Sequence, residues 1–347
     1  MARGDLLKKL FISHISKNDN DFKSVAENIV REELRKGNSL LAKDLQKILD
    51  ADASLFLNRP DPINPTFNVP VDTDHGSKLI DVIIEKRRSS EIILKEEKRN
   101  QVKRILEEIS HAELLNAHGL KPRSKILFCG PPGCGKTLCA KILASELGFP
   151  MAYVRFDALI TSFMGETASN LRKVFDFVSE GSWVLLFDEF DAIGKGRNDP
   201  NEHGELKRVV NSFLQQLDRF KSSSLLIAAT NHERLLDTAL WRRFDDVIYF
   251  QRPDRGEIAD LINLKLRNFP HKKLEAEVYA ESLVGTSHSD IENICLDSIK
   301  SSLIQGRDEV TTENFEASVR RYMKRVDISL TSMEEGGRKQ KLEKVNE

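Results

Sequence analysis

Cysteine is scarce in this sequence: four residues in 347, at positions 129, 134, 139 and 295. They are too few and too scattered for a disulfide framework, and the even spacing of Cys129, Cys134 and Cys139 offers no paired CxxC half-site for a metal. Net charge is almost absent as well. Fifty-three basic residues against 54 acidic ones leave -1, so the molecule as a whole has no field to steer it onto nucleic acid or an anionic membrane. No apolar run approaches a membrane span. Near the N-terminus Lys8 and Lys9 interrupt Leu6, Leu7, Leu10, Phe11 and Ile12 with no small-residue cleavage site after them, which argues against a signal peptide. Neither an HExxH helix nor a GxSxG elbow occurs, so any proteolysis belongs to a partner. The expectation is a reducing, cytoplasmic protein with no membrane partner.

What is present is ordinary for a globular chain, 40% apolar and 31% charged, and long enough for two or three domains. Residues 1–50 carry apolar stripes at helical spacing (Phe22, Val25, Ala26, Ile29, Val30; then Leu41, Leu45, Ile48, Leu49) and read as a helical module, either a bundle burying its own stripes or a docking element. Residues 51–78 hold Pro60, Pro62, Pro65 and Pro70, cannot continue a helix, and read as a linker. Over 79–252 strand-like runs alternate with amphipathic helices: Ile126–Cys129, Met151–Arg155, Trp183–Phe187, Leu225–Ala229 and Val247–Phe250. That alternation predicts an α/β fold with a parallel sheet and helices on both faces. A smaller helical domain follows over 253–326, and the polar segment 327–347, with Gly336-Gly337, reads as a frayed tail.

The chemistry concentrates in four places. Gly130-Pro131-Pro132-Gly133-Cys134-Gly135-Lys136-Thr137 fits GxxxxGK[ST] directly after an apolar strand and before an amphipathic helix. Such a loop turns successive backbone N–H groups toward a polyphosphate at a helix N-terminus. Lys136 is placed for the β/γ-phosphates and Thr137 for Mg²⁺. Val184-Leu185-Leu186-Phe187 reads as a buried strand delivering Asp188 and Glu189 to its carboxyl edge, where Asp188 can hold Mg²⁺ through water and Glu189 can polarise an attacking water. Leu225 to Ala229 ends in Thr230-Asn231, whose amide can bond that water or the γ-phosphate. Arg242 and Arg243 precede the last strand; within one chain they pair with Asp245 and Asp246 or stay solvated, and across a subunit boundary they suit a γ-phosphate. Cys134, at the helix N-terminus, is expected to favour the thiolate and to react with N-ethylmaleimide under protection by ATP.

In this order, these residues resemble the AAA+ ATPases, and more closely their AAA branch. GPPGCGKT is similar to Walker A, LLFDEFDAIG to Walker B, AATN to the sensor-1 strand and LWRRFDD to the arginine-finger segment; GTSHSDI resembles that branch's GxSGADI in the helical lid. The resemblance implies a P-loop α/β subdomain with a C-terminal lid, a homo-oligomeric ring, expected to be a hexamer, ATP and Mg²⁺ as ligands, and sites shared between subunits. Nucleotide contacts fall on Pro132, Gly133, Cys134, Gly135, Lys136, Thr137 and Leu138, with Ile93 where the family frames adenine by backbone atoms. Phe163-Met164-Gly165 is similar to the pore loop that grips a polypeptide substrate. The finger segment is one residue shorter than the usual LRPGRFD: Arg243 maps onto it directly, and Arg242 by inference. His288-Ser289 replaces the usual Gly-Ala. The pattern NDNDF…REELRKGNSLLAKDL resembles bacterial AAA proteins encoded beside subtilisin-like serine proteases, implying such a protease as partner. The function these features imply is an ATP-driven protein-remodelling motor, with a nucleotide-state switch that recruits an effector as the alternative. The basic stretches Lys86-Arg87-Arg88 and 95–104 interleave with Glu85, Glu91, Glu96 and Glu97 and read as a solvated helix face, which makes nucleic acid an unlikely partner.

Overall fold

The continuous apolar runs of the central segment become strands buried on both faces. In the computed structural model, which describes residues 24–28, 30, 67–72, 76–160, 166–193, 203–220, 223–236, 238–271 and 274–326, chain contacts divide at 67/68 into two units. In the first, residues 24–28 and 30 are helical and Val30 is buried. The second holds a six-stranded sheet in the order β1-β3-β4-β5-β2-β6: β1 (Ile80–Ile83), β2 (Lys125–Cys129), β3 (Met151–Val154), β4 (Val184–Phe187), β5 (Leu225–Thr230) and β6 (Asp246–Tyr249). All pairs are parallel except the edge strand β1, which runs antiparallel to β3. The helices of this unit are α1 (Glu96–Ser110), α2 (Ala112–Ala117), α3 (Lys136–Leu147), α4 (Phe156–Ile160), α5 (Thr167–Ser179), α6 (His203–Arg219), α7 (Thr238–Trp241), α8 (Arg255–Leu266), α9 (Ala276–Ser282), α10 (His288–Ile304) and α11 (312–326).

Register explains the two faces. Ile126 lies opposite Ile227, Leu186 opposite Ile227 and Phe128 opposite Ile248, so these side chains share one face. They pack with Ala140 and Leu143 of α3 and Ile105 of α1. On the opposite face, Phe187 meets the rings of Phe156, Phe175, Phe190 and Phe213 at centroid distances of 6.0, 5.9, 6.4 and 5.1 Å, joining α4, α5 and α6 to the sheet. Each such ring pair adds about 0.5–1.5 kcal/mol to area burial. Strand β1 was not anticipated as a sheet member. At four residues with one fully buried side chain, it has too little alternation to stand out from its polar surroundings. Just before it, Val71 bridges Lys78, and Asp72 accepts a buried hydrogen bond from Asn170 Nδ2 at 3.0 Å, so this stretch is anchored to α5.

The C-terminal helices have a core of their own, built from Ile258, Ile262, Leu283, Ile291, Cys295 and Phe315. Two capping boxes start them: Asp254 with Glu257 opens α8, and Ser287 with Asp290 opens α10. Each box satisfies two backbone N–H groups that a helix start would leave unpaired. Among the described residues no helix is long and apolar enough to cross a membrane.

Candidate active site

Strands β4, β5 and β2 are neighbours in the sheet, so their carboxyl ends lie side by side at the edge where parallel α/β sheets bind ligands. The loop leaving β2 reaches α3 through glycines that other residues cannot replace. Gly130 has φ 134°, and a Cβ there would stand 2.0 Å from the Phe250 carbonyl oxygen; Gly133 has φ 72°, and its Cβ would stand 2.6 Å from Ser287 Oγ. Positive φ and close approach together demand glycine. Lys136 opens α3 and is only 6% exposed. Its Nζ donates to the carbonyls of Gly130 and Pro131 at 2.7 and 2.9 Å and to Asn231 Oδ1 at 2.7 Å. Burial draws this ammonium below the usual lysine value, opposed by the carboxylates of Asp188 and Asp191.

Beside it, Thr137 Oγ1 donates to Asp188 Oδ2 at 2.6 Å, and the N–H of Glu189 donates to Asp188 Oδ1 at 3.0 Å. Glu189 has φ 52° and is the only non-glycine at positive φ among the described residues. For an L-residue that conformation is unfavourable by roughly 1–2 kcal/mol, and isolated outliers of this kind cluster at functional sites. Asp191, present in the sequence reading only within LLFDEFDAIG and given no role there, is 2% exposed and accepts from Thr230 Oγ1 at 3.3 Å and from the Asn231 N–H at 3.4 Å. It fixes the end of β5 and thereby the amide that meets Lys136. A third acid two residues beyond Glu189 was the available signal.

A cavity of about 330 Å³ gathers Pro132, Gly133, Cys134, Gly135, Lys136, Thr137, Leu138, Asp188, Glu189, Asn231 and Ile93. Ile92 and Ile93 lie between the two cores: Ile92 packs against the sheet cluster and Ile93 against the C-terminal helical cluster. Leu261, Lys265, His288, Ser289 and Glu292 complete the lining from the helical side. Sequence reasoning did not select the first two or the last. Neither Arg242 nor Arg243 lines the cavity. Arg242 is exposed, and Arg243 is held at Asp218 Oδ1 (2.9 Å) and the Ala239 carbonyl (3.0 Å). Phe163, Met164 and Gly165 lie outside the described residues.

The comparisons with known proteins agree with this geometry. Residues 126–252 match the AAA family, described as the ATPase family associated with various cellular activities. Over 315 residues the chain is 42% identical to a Sinorhizobium fredii protein named uncharacterized AAA family ATPase y4kL, covering 91% of this chain and 94% of that one. The chain is an AAA ATPase. It is also similar to the ATP-dependent zinc metalloprotease FtsH 3 of Sphaerobacter thermophilus, 32% identical over 233 residues, or 65% of this chain and 48% of that protein. Hydrolysis of ATP is thus the activity of this enzyme.

Two properties of the ATPase follow from burial. The expectation for Cys134 is corrected: the side chain is 2% exposed, and burial raises its pKa, outweighing the nearby Lys136 and Arg252 charges. Burial likewise pushes Cys129, Cys139 and Cys295 up to about 12. Because the thiolate is the reacting species, native protein should label with N-ethylmaleimide at least ~100-fold more slowly than denatured protein. A mass-spectrometric time course would check this, and rapid ATP-protectable labelling at Cys134 would restore the original expectation.

The second concerns His288, whose pKa burial lowers from 6.5 to about 4, with help from Lys98. Between these values the unfolded chain binds more protons than the folded one. Stability is therefore full above pH 6.5 and is lost as pH falls toward 4, by up to ~3 kcal/mol. Thermal melts from pH 7 to 4.5 should show a smaller loss in His288→Gln than in wild type; equal losses would contradict the assignment.

Proposed function

We propose that this ATPase acts as a homo-oligomeric ring, expected to be hexameric, in the cytoplasm, and couples Mg²⁺-dependent ATP hydrolysis to pulling on or remodelling a polypeptide substrate. The observation carrying this reading is the placement of cations. Lys136 is the cation at the phosphate loop, whereas Arg243 is tied to Asp218 on α6 and stands off the cavity, a position that suits a neighbour's nucleotide better than the chain's own. The similarity to an ATP-dependent protease supports a polypeptide substrate. The likeness of the N-terminal pattern supports a subtilisin-like protease as partner.

Roles for the residues follow from their bonds. Lys136 exchanges the neutral carbonyls of Gly130 and Pro131 for phosphate oxygens, acceptors that make hydrogen bonds about twice as strong. Asn231, held by Asp191, positions the attacking water or the γ-phosphate, and Glu189 takes the proton of that water. Thr137 Oγ1 and Asp188 Oδ2, 2.6 Å apart, fit Mg²⁺: the hydroxyl would bind the ion directly and the carboxylate would hold it through water, leaving the remaining positions to water and phosphate, as this ion prefers. Bound there, Mg²⁺ would supply neutralisation of charge on the β- and γ-oxygens. Arg242 is proposed as a second cation at the shared interface, and the backbone at Ile93 as a contact for the base.

The test pairs two variants. Phe163→Ala should keep at least half of ATP turnover while losing substrate processing. Glu189→Gln, held in ATP, should retain a polypeptide identifiable by mass spectrometry. If Phe163→Ala leaves biological output intact while Glu189→Gln abolishes it, the protein is a nucleotide-state switch instead.

A further inference from the structure

Between β1 and α1 the chain is irregular over residues 84–95 except for one 3-10 turn at Ser89–Glu91. This strap nevertheless supplies Glu91, Ile92 and Ile93 to the cavity wall. Ile92 reaches over the phosphate loop, its Cδ1 standing 3.6 Å from the place that a Cβ on Gly135 would occupy, while Ile93 packs against the helical core. An irregular segment must already be held in place, or the entropy of ordering it is subtracted from the affinity of whatever it contacts.

Part of the hold is internal. Glu91 accepts from the Arg88 N–H and from Arg87 Nη1, each at 3.1 Å, so its carboxylate closes the turn. The rest comes from α3. Ser89 donates through its backbone N–H, at 3.0 Å, and through its hydroxyl to Glu146 Oε1. Glu85 pairs with Lys141 at 2.9 Å, with side chains only 15% and 28% exposed. Neither Lys141 nor Glu146 lines the cavity. Both lie on the helix that Lys136 opens, with Glu146 about 15 Å along its axis from that lysine. One helix thus carries the phosphate-loop lysine at its start and the anchor of the strap at its end.

We propose that Glu146, assisted by Lys141, is a positioning residue for nucleotide binding: it holds the strap Ser89–Ile93 in the conformation that receives the base, and does not itself touch the nucleotide. Two donors converge on one carboxylate oxygen, and bonds to an ionised acceptor are roughly twice as strong as neutral ones. Without that acceptor the Ser89 N–H and hydroxyl turn to water, the strap loosens, and binding has to order it again. The phosphate contacts are untouched, because the loop and the first turn of α3 set them. The inference rests on the reading of the cavity as the ATP site with the base at Ile93.

The test compares ADP with inorganic pyrophosphate on the full-length protein, ADP by isothermal titration and pyrophosphate by its competition with ADP. Glu146→Ala should weaken ADP binding about fivefold, the scale of one partly exposed charge-assisted bond, and leave pyrophosphate within a factor of two. In turnover, KM for ATP should rise by a similar factor with kcat within twofold. Glu146→Gln, which keeps an acceptor for the Ser89 N–H, should fall between Glu146→Ala and wild type. Adding Ser89→Ala to Glu146→Ala should weaken ADP no further, as for two ends of one contact. Unchanged ADP affinity in Glu146→Ala would overturn the inference, and so would equal weakening of ADP and pyrophosphate, which would mean that the residue only supports α3. Wild type that holds ADP no more tightly than pyrophosphate would instead overturn the placement of the base, and the inference with it.

Discussion

Lys136→Ala should bind ATP at least ~100-fold more weakly than wild type, while Glu189→Gln should bind it within a factor of about three and hydrolyse it ~10²- to 10⁴-fold more slowly. The two side chains stand at one cavity and act on different steps. Lys136 is the buried cation whose three donors are directed at Gly130, Pro131 and Asn231, so its removal deletes charge-assisted phosphate bonds, worth about 1.5–3 kcal/mol each, and also leaves Asn231 without its anchor. Glu189 stands one residue past the carboxylate that bonds Thr137, on a backbone strained to φ 52°. Glutamine keeps its shape and size but cannot accept a proton. Titration with a slowly hydrolysed ATP analogue measures the first effect, and single-turnover phosphate release the second. Unchanged hydrolysis in both variants would remove the catalytic assignment entirely. A Lys136→Ala protein whose melting point also falls steeply would show that the lysine mainly holds the loop together.

Much of this site was legible because its chemistry is local in sequence. Three strands end in Gly130, Asp188 and Asn231, and parallel pairing alone places such ends side by side, which is why residues separated by some fifty to a hundred positions meet as Thr137–Asp188 and Lys136–Asn231. Five strands were readable from apolar runs long enough to be buried on both faces. What could not be read depends on relations that no spacing encodes. The thiol of Cys134 was judged by its neighbour in sequence, a helix N-terminus, but in the fold its burial prevails and moves its pKa the other way. Asp191 acquires its role from β5, forty residues away in the chain. The helical wall of the cavity needs α8 and α10 to turn back onto the loop, a contact set by Ser287 and Ser289 against Gly133. His288 looked like a departure from pattern in the sequence. The fold places that departure on the wall of the cavity.

The second large effect concerns Arg243. Replacing it by alanine should lower ATP turnover by ~10³-fold or more if it completes a neighbour's site, the range expected for an arginine supplied to a γ-phosphate in trans. Loss of the Arg243–Asp218 pair itself cannot account for such a change. The pair is partly exposed, and pairs of this kind contribute about 0–1 kcal/mol to stability, so the variant should fold and melt nearly as wild type does. Its own phosphate loop is intact, and its ATP affinity should stay within a few-fold. Mixing then separates the two halves of the site. Arg243→Ala subunits keep Lys136, Lys136→Ala subunits keep Arg243, and random assembly of equal amounts pairs the intact halves at about one interface in four. Activity should therefore reappear in the mixture, where each variant alone has almost none, and specific activity of the wild type should rise with concentration through the range where rings assemble. Light scattering on the same samples ties the activity to mass. A fully active Arg243→Ala protein, or a wild-type monomer turning over ATP at the full rate, would place every catalytic group within one chain and leave a nucleotide-state switch as the better description of what this ATPase does.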